Sequence, residues 1–163
     1  AGVAGPGDVP GRLESLGEAI GRPDPAAALA AGLRRRLAEP SPPREARVVT
    51  LVWWDPPMVV GPDRYAARLL ACLGLETPWL GSRPYPTVDL ATLRGSGADR
   101  VLLPSEPYAF SDGEVAALNE ALGPAAGGAR RAVRVDGRDL FWYGARTAAA
   151  LGRLRRRRPL GQR

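Results

Sequence analysis

Apolar positions change their spacing twice along this chain. Val9, Leu13, Leu16 and Ile20 recur at three- and four-residue intervals, which predicts an amphipathic helix. Gly21 and Pro23 stop it. Asp24 as an N-cap and Pro25 in the first turn restart a second helix, whose stripe is Leu29, Leu33 and Leu37. Glu39-Pro40-Ser41-Pro42-Pro43 ends that helix and forms a stiff linker. Residues 1–7, rich in Gly, Ala and Pro, read as a frayed start. Both stripes are narrow, so this helical pair needs a partner surface to be stable.

After Arg47 the helical spacing gives way to continuous apolar runs. Val48–Trp54 is β-branched and apolar throughout, as in a strand buried on both faces. Alternation sends one of Trp53 and Trp54 into a helix layer, and Trp53 and Phe141 are assigned to the core. Gly61-Pro62-Asp63 opens a helix carrying Tyr65, Leu69, Leu70 and Leu73, closed by Gly74. Asp89 caps a short helix bearing Leu90 and Leu93. Val101-Leu102-Leu103 is a second buried strand. Ser111 and Glu114 make a capping box for a helix with Val115, Leu118 and Leu122. Ala125–Arg131 is a loop, Ala132–Val135 a third strand, and Leu151 and Leu154 mark a last helix. Alternating strands and helices predict an α/β lobe, a Rossmann-like parallel sheet flanked by helices. Residues 1–43 form the helical segment that precedes it, and residues 44–163 the lobe itself.

Composition narrows the chemistry. At 163 residues the chain can bury one real core. It has no histidine, which removes the commonest general base and transition-metal ligand. Cys72 is alone, so neither an internal disulfide nor a thiolate cage is available; its apolar helical context makes it a small core residue. All 23 basic residues are arginine, which with 20 Gly and 17 Pro indicates a GC-rich coding bias. Despite the net charge of +6, Arg34–Arg36 and Arg155–Arg158 are placed at helix ends, so no nucleic-acid partner is expected. No run of about 18 apolar residues is present, and no signal peptide is visible. The chain starts at Ala1, which fits a processed product or a fragment.

Catalytic motifs are missing from the expected places. Gly95-Ser96-Gly97 precedes a strand and has no histidine to activate the serine. Trp54-Asp55-Pro56-Pro57 follows the first strand where a phosphate-binding glycine loop would stand. Asp55, Glu106 and Asp136 each follow a strand. Their convergence would make a divalent-cation site, the alternative reading of an α/β enzyme. The ten aromatic rings all lie after residue 52, most of them in or beside loops. Loop-borne rings beyond a parallel sheet point to a wide apolar binding face. A further alternative is a face that meets another polypeptide.

Val48–Gly61, Arg83-Pro-Tyr-Pro-Thr-Val-Asp89, Ala98–Pro107, Val135-Asp-Gly137 and Trp142-Tyr-Gly-Ala-Arg146 occur in an order that resembles a known family. The chain looks like the C-terminal lobe of a helical-backbone periplasmic binding protein, the vitamin B12- and ferric-siderophore-binding type of ABC importers. Val9–Ala38 then resembles the interlobe helix and its successor, and the N-terminal lobe is absent. The resemblance implies a solute receptor and not an enzyme, with no catalytic residue, cofactor or resident metal. It implies a metal-chelate ligand such as cobalamin or a ferric siderophore, delivered to an ABC permease. An exported location in the cell envelope, periplasmic or membrane-anchored, follows from it. Any membrane contact would run through the permease or a lipid anchor not present in this chain. The implied ligand-facing residues are Trp54, Asp55, Pro57, Met58, Glu106, Tyr108, Trp142, Tyr143 and Arg146, with Trp79 and Tyr85 at the rim. Glu106 and Arg146 would orient the ligand; the alternative for Arg146 is a salt bridge to Asp136 or Asp139. The family's permease-docking glutamate matches Ala91 here, and Asp89 stands as its substitute.

Overall fold

The computed structural model describes residues 2–125 and 128–157. Arg158, in the basic run expected at the last helix end, lies outside them, as do residues 126 and 127 of the 125–131 loop. The sheet is built on β1 (Ala46–Trp53), which pairs in parallel with β4 (Arg100–Pro104); β4 in turn pairs in parallel with β5 (Ala132–Val135). These are the three expected strands. Two others are only two residues long, too short to carry a periodic signal. β2 (Met58–Val59) runs antiparallel to the end of β1, and β3 (Leu75–Glu76) runs parallel to its start. The alternation of β1 sends Val48 and Val52 to one helical layer and Val49 and Leu51 to the other. Each face therefore has its own apolar cluster.

The first layer holds α1 (Val9–Ala19), α2 (Pro23–Ala38), α3 (Tyr65–Ala71), α6 (Gly137–Phe141) and α7 (Thr147–Arg157). Val9, Leu13, Ala30 and Leu33 from the helical pair share its cluster with Val48, Leu69, Leu70, Leu102, Leu140 and Leu151. The second layer holds α4 (Leu90–Gly95) and α5 (Asp112–Leu122), with Leu93, Leu118 and Leu122 packed on Val101 and Leu103. Asn119 ties α5 to the sheet edge: its amide donates to the Ala132 carbonyl at 3.2 Å and accepts from the Ala132 N–H at 2.9 Å. Cys72 is half-buried, and burial pushes its thiol pKa up.

Local chemistry departs from the sequence reading at several points. The start is tied down: Pro6–Asp8 form a 3-10 turn, and the Asp8 carboxylate accepts from the N–H groups of Ala4 and Gly5 at 2.8 and 3.0 Å. Asp24 lies inside the first turn of α2 and does not cap it; Arg22 precedes the helix. The leucine stripe is only half used, since Leu16, Ile20 and Leu29 are exposed. The two helices meet through small residues instead. A Cβ on Gly17 would sit 2.2 Å from the Ala26 Cβ and 2.8 Å from the Arg22 carbonyl oxygen. Close approach of backbones, not leucine interdigitation, sets this contact.

That geometry reverses a usual rule. Gly to Ala in an open helix gains up to about 1 kcal/mol. Gly17→Ala should instead lower the urea midpoint, because the added methyl forces the helices apart. Leu16→Ser, on the exposed side, should leave the midpoint nearly unchanged.

Candidate functional site

The carboxyl ends of the parallel strands meet an open-sided cleft of about 650 Å³, lined by residues from four connections. Val52 and Trp53 come from the end of β1, Met58 from β2, and Tyr85 from the loop before α4. Glu106 and Pro107 follow β4, and Phe141 and Trp142 close α6. The volume lies within the range of small-molecule sites. The lining is apolar apart from Glu106 and the Tyr85 phenol.

β1 delivers two adjacent residues to this cleft through an irregularity. Leu51 pairs with Val59, but Trp53 pairs with Met58, so Val52 is an extra residue on the β1 side. Such a bulge twists the strand end and re-aims its side chains. Trp53 is then held from two sides. Its indole N–H donates to the Asp55 carbonyl at 3.1 Å, and its ring meets Tyr108 at 5.1 Å in an edge-to-face contact. Tyr108 meets Phe110 at 4.8 Å, which is buried in the second layer. The Tyr108 hydroxyl donates to Glu114 at 2.5 Å. Glu114 also accepts from the Ser111 N–H at 2.7 Å and the Ser111 hydroxyl at 2.8 Å as part of the helix cap. The Tyr108 hydrogen bond first, then those from Ser111, hold the Glu114 carboxyl below its ordinary pKa.

Tyr85 is placed by the segment 84–88, which runs along the β2 edge. Gly61 N–H donates to the Pro84 carbonyl, Val59 N–H to that of Pro86 and Val88 N–H to that of Pro57, each within 2.9–3.0 Å. Gly61 is required there, since a Cβ would stand 2.9 Å from the Pro84 carbonyl oxygen. Glu106 is placed by Gly137 in the same way. A Cβ on Gly137 would come within 2.6 Å of the Glu106 carbonyl oxygen and 2.7 Å of its Cγ. Gly137 also donates its N–H to the Ser105 hydroxyl at 3.0 Å.

Four of the expected ligand-facing residues line the cleft: Met58, Tyr85, Glu106 and Trp142. The others stand elsewhere. Trp54 packs on the second layer's apolar cluster, and its neighbour Trp53 takes the cleft position. Asp55 is exposed in the turn, and Pro57 is half-buried beside β2. Tyr108 supports Trp53 from behind. Tyr143 meets Tyr65 in a tilted contact at 5.4 Å, and the Tyr65 hydroxyl is 3.0 Å from the Thr147 hydroxyl. Trp79 is 68% exposed and outside the lining. Arg146 lies 3.6 Å from buried Asp139 and 5.8 Å from the centre of the Trp142 ring. Asp89 caps α4, accepting from the Thr92 N–H at 2.7 Å, and remains exposed. The residues that sequence reasoning missed are Val52, Trp53, Pro107 and Phe141. Trp53, expected in the core, is 44% exposed, whereas Phe141 packs on the first layer's cluster as expected and also reaches the cleft. Position at a strand or helix end was the one signal against that assignment.

Asp55, Glu106 and Asp136 do not make a carboxylate site. Asp136 caps α6 and takes two hydrogen bonds from the Arg138 guanidinium, at 3.2 and 3.1 Å. Among the described residues no three acidic, histidine or cysteine side chains come together as metal ligands. No helix among them is long and apolar enough to cross a membrane.

No protein-family model and no curated protein matches the chain. The fold does have solved counterparts. The periplasmic vitamin B12 binding protein of Vibrio cholerae superposes with a TM-score of 0.72 at 14% identity, over 95% of this chain and 62% of that one. A periplasmic heme binding protein from Pseudomonas aeruginosa gives 0.72 at 20% identity, over 98% and 62%. A possible iron-binding, periplasmic solute-binding protein from Staphylococcus epidermidis gives 0.70 at 15% identity, over 95% and 63%. The chain thus has the fold of periplasmic binding proteins of this type, as the resemblance implied, and it spans less than two thirds of their length.

The support beneath Trp53 has a pH signature. A carboxylate whose folded pKa is lowered adds stability above its ordinary pKa of about 4.5 and loses it as pH falls through the folded value. The melting temperature should therefore fall on acidification below that range. Glu114→Gln should flatten this acid limb, read by thermal unfolding at successive pH values.

Proposed function

We propose that this chain is the solute-binding lobe of an ABC importer receptor and that it holds a bulky metal chelate against the cleft. The observation that carries the reading is the wall of Trp53, Tyr85, Phe141 and Trp142 beyond the strand ends. These rings come from the end of β1, the loop before α4 and the end of α6, and they face one open space; among the described residues no metal-ligand cluster stands with them. A rigid aromatic wall suits a large ligand with an apolar face and polar edges. The names of the solved counterparts, which record vitamin B12, heme and iron, support a ligand of this class. Cobalamin, a ferric siderophore or a related tetrapyrrole is the corresponding ligand here.

The energetics are adequate without covalent chemistry. If each ring loses about 80–100 Å² to the ligand, burial supplies about 2 kcal/mol per ring. Several rings together offset part of the cost of association, and contacts across the cleft must supply the rest. In a two-lobed receptor, which the resemblance implies, this face is one wall of the cleft. Exposed Asp89, at the start of α4, is the contact we assign to the permease, and the cell envelope is the corresponding location.

Tryptophan fluorescence during titration with cyanocobalamin, haemin and ferric chelates tests the reading. Quenching should saturate with at least one of them. Trp53→Ala and Trp142→Ala should each weaken that affinity by about tenfold or more. A flat response to every ligand, in this chain and in a two-lobed version of it, would overturn the proposal.

A further inference from the structure

We infer that the cleft selects chelates whose edges are uncharged or cationic and rich in hydrogen-bond donors, and that Glu106 is the residue that turns anionic chelates away. This inference rests on the receptor reading. Among the described residues that line the cleft, Glu106 is the one charged side chain. A carboxylate accepts hydrogen bonds and offers none, so it complements amide or ammonium groups and opposes carboxylates.

The arginines beside the cleft are already engaged. Arg138 makes two hydrogen bonds to Asp136, at 3.2 and 3.1 Å. Arg153 grips Asp139 with bonds of 2.5 and 2.9 Å, and Arg146 approaches the same carboxylate at 3.6 Å while lying over Trp142. Asp139 is 3% exposed, and Arg153 reaches both of its carboxylate oxygens. Arg146 lies over the Trp142 ring rather than in the lining, so Glu106 is the charged group within the cleft. Glu106 is thus the charge within the lining in a chain whose net charge is +6, and Arg138 on α6 is close enough to feel it.

Glu106 also has little room to withdraw. Gly137 lets α6 lie directly against its backbone and Cγ, at separations a Cβ could not occupy. Like charges held a few ångströms apart in a partly desolvated cleft repel strongly enough to change affinity by about tenfold.

Haemin and its bis-amide, in which both carboxylates become carboxamides, share one ring and differ in edge charge. Fluorescence titration of this chain should give the bis-amide an affinity about tenfold tighter than haemin. Glu106→Gln should bring the ratio close to one, chiefly by strengthening haemin. A second measurement needs no variant: haemin binding to the unmodified chain should strengthen as salt rises from about 0.01 to about 0.5 M, because screening relieves the repulsion. Haemin binding equal to or tighter than the bis-amide overturns the inference and leaves the receptor reading standing. So does a ratio that survives Glu106→Gln, or haemin affinity that falls with salt. Binding of neither compound also overturns it, and the cobalamin and ferric-chelate titration then decides the receptor reading separately.

Discussion

Burial of β1 on both faces is the constraint from which the rest of the architecture follows. Val48, Val49, Leu51 and Val52 are all removed from solvent, and they alternate between two apolar clusters. A strand of this kind must have a helical layer on each side, and parallel neighbours to satisfy its backbone groups. β4 supplies a full parallel edge, while β2 and β3 share the other edge in two short pieces. With β1, β4 and β5 parallel, their following loops all emerge at one end of the sheet. The cleft is where those loops meet.

The irregular end of β1 turns that general arrangement into a specific surface. The extra residue at Val52 brings Val52 and Trp53 to the cleft together and leaves Trp54 to pack on the second layer. Trp53 then rests on Tyr108, Tyr108 on Phe110 and Glu114, and Glu114 on the cap of α5. A ring at the cleft is thus braced by a helix cap in the layer behind it. Preorganisation of this kind lowers the entropy lost on binding. Glycine does the corresponding work on the other wall, where Gly137 lets α6 press against Glu106.

Charge is arranged with the same economy. Arginines are spent on local carboxylates around α6 and α7, and the cleft is left with a carboxylate of its own. Net charge read from the sequence therefore says nothing about the sign of the charge in the cleft. Pairing, which is a matter of distance, decides it.

The three long strands, six of the helices, and the caps at Asp89 and Ser111–Glu114 were legible in the chain because local propensity and burial agree there. Gathering of rings beyond the strand ends was legible as a tendency, and Met58, Tyr85, Glu106 and Trp142 follow it to the cleft. What the sequence could not reveal depends on partners remote in the chain. Two-residue strands exist only through their pairing with β1. The choice of Trp53 over Trp54 rests on a bulge defined by Met58 and Val59. The close helix contact at Gly17 needs Ala26 opposite it, and Leu16 is exposed as a result. The sequence left Arg146 open between a ligand and Asp136 or Asp139, and the fold sets it beside Asp139 and over the Trp142 ring. Period and propensity set which elements form, since they act within a few residues. Tertiary packing decided which side chains face the cleft, since that choice is made by atoms that only folding brings within reach.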